Sequence, residues 1–89
     1  MTSAKHWNVE IVIDEHEDRT RAEARLISRE RTQLTGVGKA RKNPMDTSVP
    51  RIGDELAAAR ALSELAHHLL HTASDDIEAI THRPAHLEE

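Results

Sequence analysis

The sequence predicts an α+β domain ordered β-β-β-α-α, in which a three-stranded antiparallel sheet is backed by a long helix and a short C-terminal one. Apolar and polar residues alternate with period two over residues 7–13 and 19–27. A third alternating stretch carries two glycines, Gly36 and Gly38, on one parity. Beyond it an apolar stripe at helical spacing runs from Ile52 to Leu70.

Strand one places Trp7, Val9, Ile11 and Ile13 on one face and His6, Asn8, Glu10 and Asp14 on the other, with Val12 the exception. The polar run Glu15-His16-Glu17-Asp18 then reads as a turn. Strand two sets Thr20, Ala22, Ala24 and Leu26 against Arg19, Arg21, Glu23 and Arg25. Closing a hairpin on the four-residue turn pairs Ile13 with Thr20, Ile11 with Ala22, Val9 with Ala24 and Trp7 with Leu26. Large side chains then meet small ones.

After a turn near residues 28–30, strand three is expected over about 31–41, with Thr32, Leu34, Gly36, Gly38 and Ala40 facing inward. Small residues on one face let another backbone approach closely, so a helix should cross Gly36 and Gly38. Gly36-Val37-Gly38 is not read as a nucleotide loop, because neither GxGxxG nor GxxxxGK[ST] accompanies it. Residues 42–50, with two prolines and several turn-forming polar side chains, form a loop. The long helix starts between Pro50 and Asp54 and reaches His71 or Thr72, on the stripe Ile52, Leu56, Ala59, Leu62, Ala66, Leu69 and Leu70. Ser74 or Asp75 then reads as the cap of a short second helix through Ile77 and Ile80. One domain spans 1–89, with its core over about 5–82 and loose tails at 1–4 and 83–89.

Size and composition constrain the rest. A 10.0 kDa chain folds to an accessible surface of roughly 5,200 Å² and buries about 64% of what it exposes unfolded. With one Trp and no Phe or Tyr, the core must be built from Ile, Val, Leu and Ala. Small cores of this kind are often completed by a second subunit, so a homodimer is expected. The absence of cysteine excludes disulfides and thiolate chemistry. No N-terminal secretion pattern and no apolar run of about 20 residues occurs, which places the chain in the cytoplasm and away from membranes.

Charge is sorted along the chain. Residues 19–42 carry eight bases against two acids, a net of +6, while residues 1–18 sum to −4 and 54–89 to −6. By strand parity Arg19, Arg21, Arg25, Arg31, Lys39 and Arg41 share the outward face of strands two and three. Guanidinium and ammonium groups spaced along an open sheet suit phosphate recognition, and the six are the candidate nucleic-acid-binding residues. Trp7 points the other way and no second aromatic exists, which disfavours base stacking and leaves backbone or shape recognition. Glu10, Asp14 and Glu23 fall on the same face, so cross-strand pairing with the arginines is the competing reading.

Other chemistry finds little support. His67 and His71, at i and i+4, are the weak candidates for a metal, without an HExxH pattern or cysteine beside them. No serine has a nucleophile-elbow context, and the paired acids Asp14/Glu15, Glu17/Asp18, Asp54/Glu55 and Asp75/Asp76 sit at expected turns and helix starts. The chain is read as a non-enzymatic protein with no cofactor and no small-molecule substrate.

Several motifs recur in order: His6-Trp7-Asn8-Val9 with Ile13-Asp14-Glu15-His16, then Gly36-Val37-Gly38-Lys39-Ala40-Arg41, then Val49-Pro50-Arg51-Ile52-Gly53-Asp54-Glu55-Leu56. Ala59-Arg60-Ala61-Leu62, and Asp76-Ile77-Glu78 with Thr81-His82, complete the set. From about residue 5 to 85 the chain resembles a family of short actinobacterial proteins classed as a domain of unknown function. That resemblance implies a sheet backed by helices similar to double-stranded-RNA-binding domains, a dimer, and a link to dormancy or hypoxia. It also implies a structural likeness to ribosome hibernation promoting factors, and hence ribosomal or structured RNA as a partner. A protein–protein module or structural homodimer is the alternative. The chain departs from the hibernation-factor pattern in lacking a strand–helix unit before the sheet and in its acidic net charge of −4.

Overall fold

Alternation builds three strands and helical periodicity builds one helix in the computed structural model of the protein, which describes residues 3–28, 33–42 and 49–88. The elements are β1 (Asn8–His16), β2 (Arg19–Ile27), β3 (Leu34–Arg41) and α1 (Pro50–Thr81). The sheet is antiparallel with order β1-β2-β3. The α+β class and the three-stranded sheet agree with the sequence. The expected start of strand three and the turn before it fall partly outside the described residues.

The hairpin differs from expectation by two residues. Val9 pairs with Leu26, Ile11 with Ala24 and Ile13 with Ala22, and Glu15 and His16 enter the ladder opposite Thr20 and Arg19. The turn is therefore Glu17–Asp18 alone, with Glu17 at φ 56. Two-residue turns with a positive φ match the twist of the flanking strands, and here that preference prevails over a longer loop. Parity survives a shift of two, so the side chains keep their expected faces; Ile11 and Ile13 oppose alanines, while Val9 now meets Leu26.

The second correction concerns the helices. Residues 74 and 75 do not start a new helix, because α1 runs unbroken for 32 residues. Between Gly53 and Pro84 the chain has no glycine or proline, and Thr72-Ala73-Ser74 costs too little helix propensity to break a helix already formed. α1 starts with Pro50 at its first positions and ends at His82, whose φ of 58 turns the chain while its N–H donates to the Glu78 carbonyl at 2.8 Å.

α1 crosses the sheet directly over the two β3 glycines. A Cβ on Gly36 would collide with the Ala61 carbonyl and the Leu65 backbone, with Leu65 Cα 2.9 Å away. One on Gly38 would strike the Ala57 carbonyl and the Ala61 amide, with Arg60 Cβ 2.7 Å away. The buried residues are accordingly small: Ala22, Ala24, Ala40, Ala57 and Ala61, with Leu26 and Leu65.

The glycines also decide where α1 does not lie. It covers β3 and β2 and barely touches β1. The inward row of β1 stays open, with Val9 44%, Ile11 36% and Ile13 39% exposed, and Trp7 just before the strand is 49% exposed. Ile52, Leu56, Leu62 and Ile77 on α1 are exposed as well. The buried core is thus mostly alanine, while most of the large aliphatics of β1 and several of α1 face solvent.

Candidate functional site

The outward face of the sheet gathers the predicted cations at one end. Arg19 lies opposite Arg41 and Arg21 opposite Lys39 on the β2–β3 ladder, two successive outward rungs with cations on both strands. Across the β1–β2 ladder the same rungs continue into His16 and Asp14. Farther along, Glu23 faces Val12 and Val37, and Arg25 faces Glu10 and Thr35. Like charges directly opposite one another destabilise a sheet, a cost that Asp14 offsets in part on the Arg21–Lys39 rung and that an added anion would relieve on the Arg19–Arg41 rung.

The six candidates are not equally available. Arg25 is committed: its Nε donates to Glu23 Oε1 at 2.7 Å, and this bond holds the Glu23 carboxyl below the usual glutamate range. Arg21 reaches the other Glu23 oxygen only at 3.6 Å, and Arg41 reaches Asp18 at 3.5 Å with a largely exposed side chain. Exposed pairs at such distances contribute little. The side chains of Arg19 and Lys39 engage no carboxylate among the described residues. Arg31 lies outside the described residues. The surface thus narrows from a stripe along both strands to a cluster of Arg19, Arg21, Lys39 and Arg41 beside the hairpin turn. The main-chain bond from Lys42 N–H to the Asp18 carbonyl, 2.8 Å, ties the end of β3 to that turn.

On the opposite face, at the same end, Glu15 meets Asp54 in the first turns of α1. A hydrogen bond between the two carboxyls, reinforced by their like charge, raises the Glu15 carboxyl above the usual glutamate range. Asp54 Oδ1 is buried without a hydrogen-bond partner among the described residues. The polar run 15–18 read as a turn, so this contact was not legible; the two-residue hairpin carries Glu15 into the ladder opposite Thr20. The sign of the consequence is fixed. A raised carboxyl favours the fold most below its ordinary value, and that contribution is lost as pH rises through the raised one. Glu15→Gln is therefore expected to melt above wild type at pH 7 and level with it near about pH 4. Equal differences at both pH values in parallel melts would refute the carboxyl pair. Glu23, shifted the other way, is common to both proteins and cancels in the comparison.

His67 and His71 sit on the later half of α1, where the tail folds back. The Ser74 hydroxyl donates to the Ala85 carbonyl at 2.6 Å, and the Ala85 N–H donates to Glu78 Oε1 at 2.8 Å. A groove of 620 Å³ results, lined by His67, His71, Asp75 and His86 among others. His71 Nε2 lies 3.7 Å from Asp75 Oδ2, and among the described residues no three histidines and acids come together in a metal-holding group. Among the described residues no helix is long and apolar enough to cross a membrane.

A family model described as Rv2632c-like matches residues 5–86. The uncharacterized protein Mb1767 of Mycobacterium bovis (strain ATCC BAA-935 / AF2122/97) is 59% identical over 83 residues, spanning 93% of this chain and 87% of its own length. The uncharacterized protein Rv2632c of Mycobacterium tuberculosis (strain ATCC 25618 / H37Rv) is 51% identical over 88 residues, 94% of each. A crystal structure of Rv2632c superimposes with a TM-score of 0.83 at 52% identity, covering 93% of this chain and 98% of that one.

Proposed function

We propose that this chain, which belongs to the Rv2632c-like family, is a non-enzymatic cytoplasmic regulatory protein that works as a homodimer and contacts structured or ribosomal RNA through the basic end of its open sheet face. The observation that carries the reading is the pair of cationic rungs, Arg19 opposite Arg41 and Arg21 opposite Lys39, with Arg19 and Lys39 unengaged by carboxylates among the described residues. Phosphates spaced along a backbone are the anion that four adjacent cations fit, and the lack of an aromatic on that face favours a duplex or folded RNA over splayed bases.

The likeness to double-stranded-RNA-binding domains, the comparison with hibernation factors and an association with stress belong to the same reading. Their support is the resemblance of the motifs together with a β-β-β-α order that leaves one sheet face open. The dimer is supported by the exposed β1 row, which a second copy would cover.

Fluorescence anisotropy on a short RNA duplex, with co-sedimentation on ribosomal subunits in parallel, tests the RNA contact. Binding is expected to weaken steeply with salt, and Arg19→Gln/Lys39→Gln to lower the slope of log K against log salt by about 2. No salt-sensitive association with either RNA would end this reading. Retention of a protein partner after nuclease treatment would favour a protein–protein module instead.

A further inference from the structure

The two edges of the sheet are treated differently, and the difference assigns them roles. In an antiparallel strand alternate residues point their N–H and C=O groups toward the same side. With β3 paired to β2 through one set, Thr35, Val37 and Lys39 present the other set to the outside. One main-chain group of each meets a side chain of α1. Arg60 Nη1 donates to the Lys39 carbonyl at 2.7 Å, the Val37 N–H donates to Glu64 Oε1 at 3.1 Å, and His68 Nδ1 lies 2.6 Å from the Thr35 carbonyl, to which it donates when it carries the proton. Donors stand over carbonyls and the carboxylate over the amide.

The match is one of period as well as chemistry. Four residues of helix advance about 6.0 Å, and two residues of strand about 6.6–6.8 Å. Arg60, Glu64 and His68, each four apart on a helix antiparallel to β3, therefore fall in step with every second residue of the strand. A helix packed merely for burial needs no such ladder.

Among the described residues, β1 at the other edge carries no such ladder. Its nine residues contain no proline or glycine, and its uncovered apolar row of Val9, Ile11 and Ile13 runs along that edge. A long, apolar, unprotected edge strand is a template for another strand. We propose that the sheet is built to extend at one edge only: β1 takes β1 of a second copy in antiparallel pairing, and the Arg60–Glu64–His68 ladder closes β3 so that assembly stops at two. The occupant is a second copy because antiparallel self-pairing sets the two apolar rows side by side. Trp7, Val9, Ile11 and Ile13, each between 36% and 49% exposed, supply the apolar area that such pairing would cover. This rests on the homodimer reading above and adds the edge that is used and the device that limits it.

The test is analytical ultracentrifugation of wild type and Arg60→Ala/Glu64→Ala/His68→Ala over a concentration series, with circular dichroism on both. Wild type is expected to end at a dimer. The folded triple variant should form species whose average mass rises with concentration past about twice that of wild type. Adding Ile11→Pro, which blocks the β1 edge, should abolish that growth. A triple variant with wild-type dichroism and wild-type mass at every concentration overturns the cap. If the triple variant does not fold, Glu64→Ala/His68→Ala is read by the same criterion. A monomeric wild type would refute the homodimer, whereas the cap stands or falls on whether its removal adds mass.

Discussion

Gly38→Val is expected to leave the chain unfolded at room temperature, and Gly38→Ala to cost about 3 kcal/mol or more. A Cβ at this position meets the Ala57 carbonyl and the Ala61 amide, both backbone atoms of a continuous helix, so no rotamer change relieves the contact. Only a shift of α1 away from β3 can, and that shift opens the packing of Ala22, Ala24, Ala57 and Ala61 together. A domain of this size holds only about 5–15 kcal/mol in total. Gly36 faces the same situation against Ala61 and Leu65. Gly53 supplies the contrast. There an added Cβ meets the Thr20 hydroxyl at 2.9 Å, the end of a side chain that can rotate, and alanine regains about 1 kcal/mol of helix propensity. Urea denaturation followed by circular dichroism should therefore rank Gly38→Val and Gly36→Ala far below Gly53→Ala. Gly36→Ala and Gly38→Ala within about 0.5 kcal/mol of wild type would mean that α1 does not rest on β3 backbone to backbone.

That geometry also explains what could and could not be read beforehand. Alternation identified all three strands and the faces of the side chains on β2 and on β1 as far as Asp14, because parity is local. The placement of α1 over Gly36 and Gly38 was legible too, since two glycines on one face leave space that only a close-packed helix fills. The register was off by two because a four-residue polar run does not say which two residues turn. The false break at Ser74 came from treating a capping residue type as a boundary, when Asp75 and Asp76 are simply carried on the exposed side of a continuing helix. In the candidate site, parity put Arg21 and Arg25 on one face with Glu23 but could not say that Glu23 would hold Arg25 tightly and Arg21 loosely. The spacing of Arg60, Glu64 and His68 was visible on the helix, but its partners are main-chain atoms of β3 and leave no trace in side-chain patterns. The uncovered β1 row follows from one step not taken: a helix drawn to the β3 edge by glycines cannot also cover the far strand.

Ile11→Lys is expected to convert a dimer into a folded monomer, and this split between association and folding is what identifies the β1 row as an interface. Ile11 lies at the middle of the row, between Val9 and Ile13, and is 36% exposed in the single chain. A lysine there can lay its stem along the strand and keep its ammonium in water, so the monomer should lose no more than about 0.5 kcal/mol. In a dimer the same ammonium enters an apolar contact with no counter-charge, which costs several kcal/mol and raises the dissociation constant by more than about 100-fold. Ile80→Lys is the control, because Ile80 is 80% exposed on the part of α1 beyond the sheet and should change neither quantity. Light scattering over a dilution series reads the first effect, and thermal melts at a concentration where wild type is dissociated read the second. Two results would overturn the assignment. An Ile11→Lys protein that dimerises as tightly as wild type places the interface elsewhere, and one that is unfolded at every concentration makes the row part of the core of a single chain.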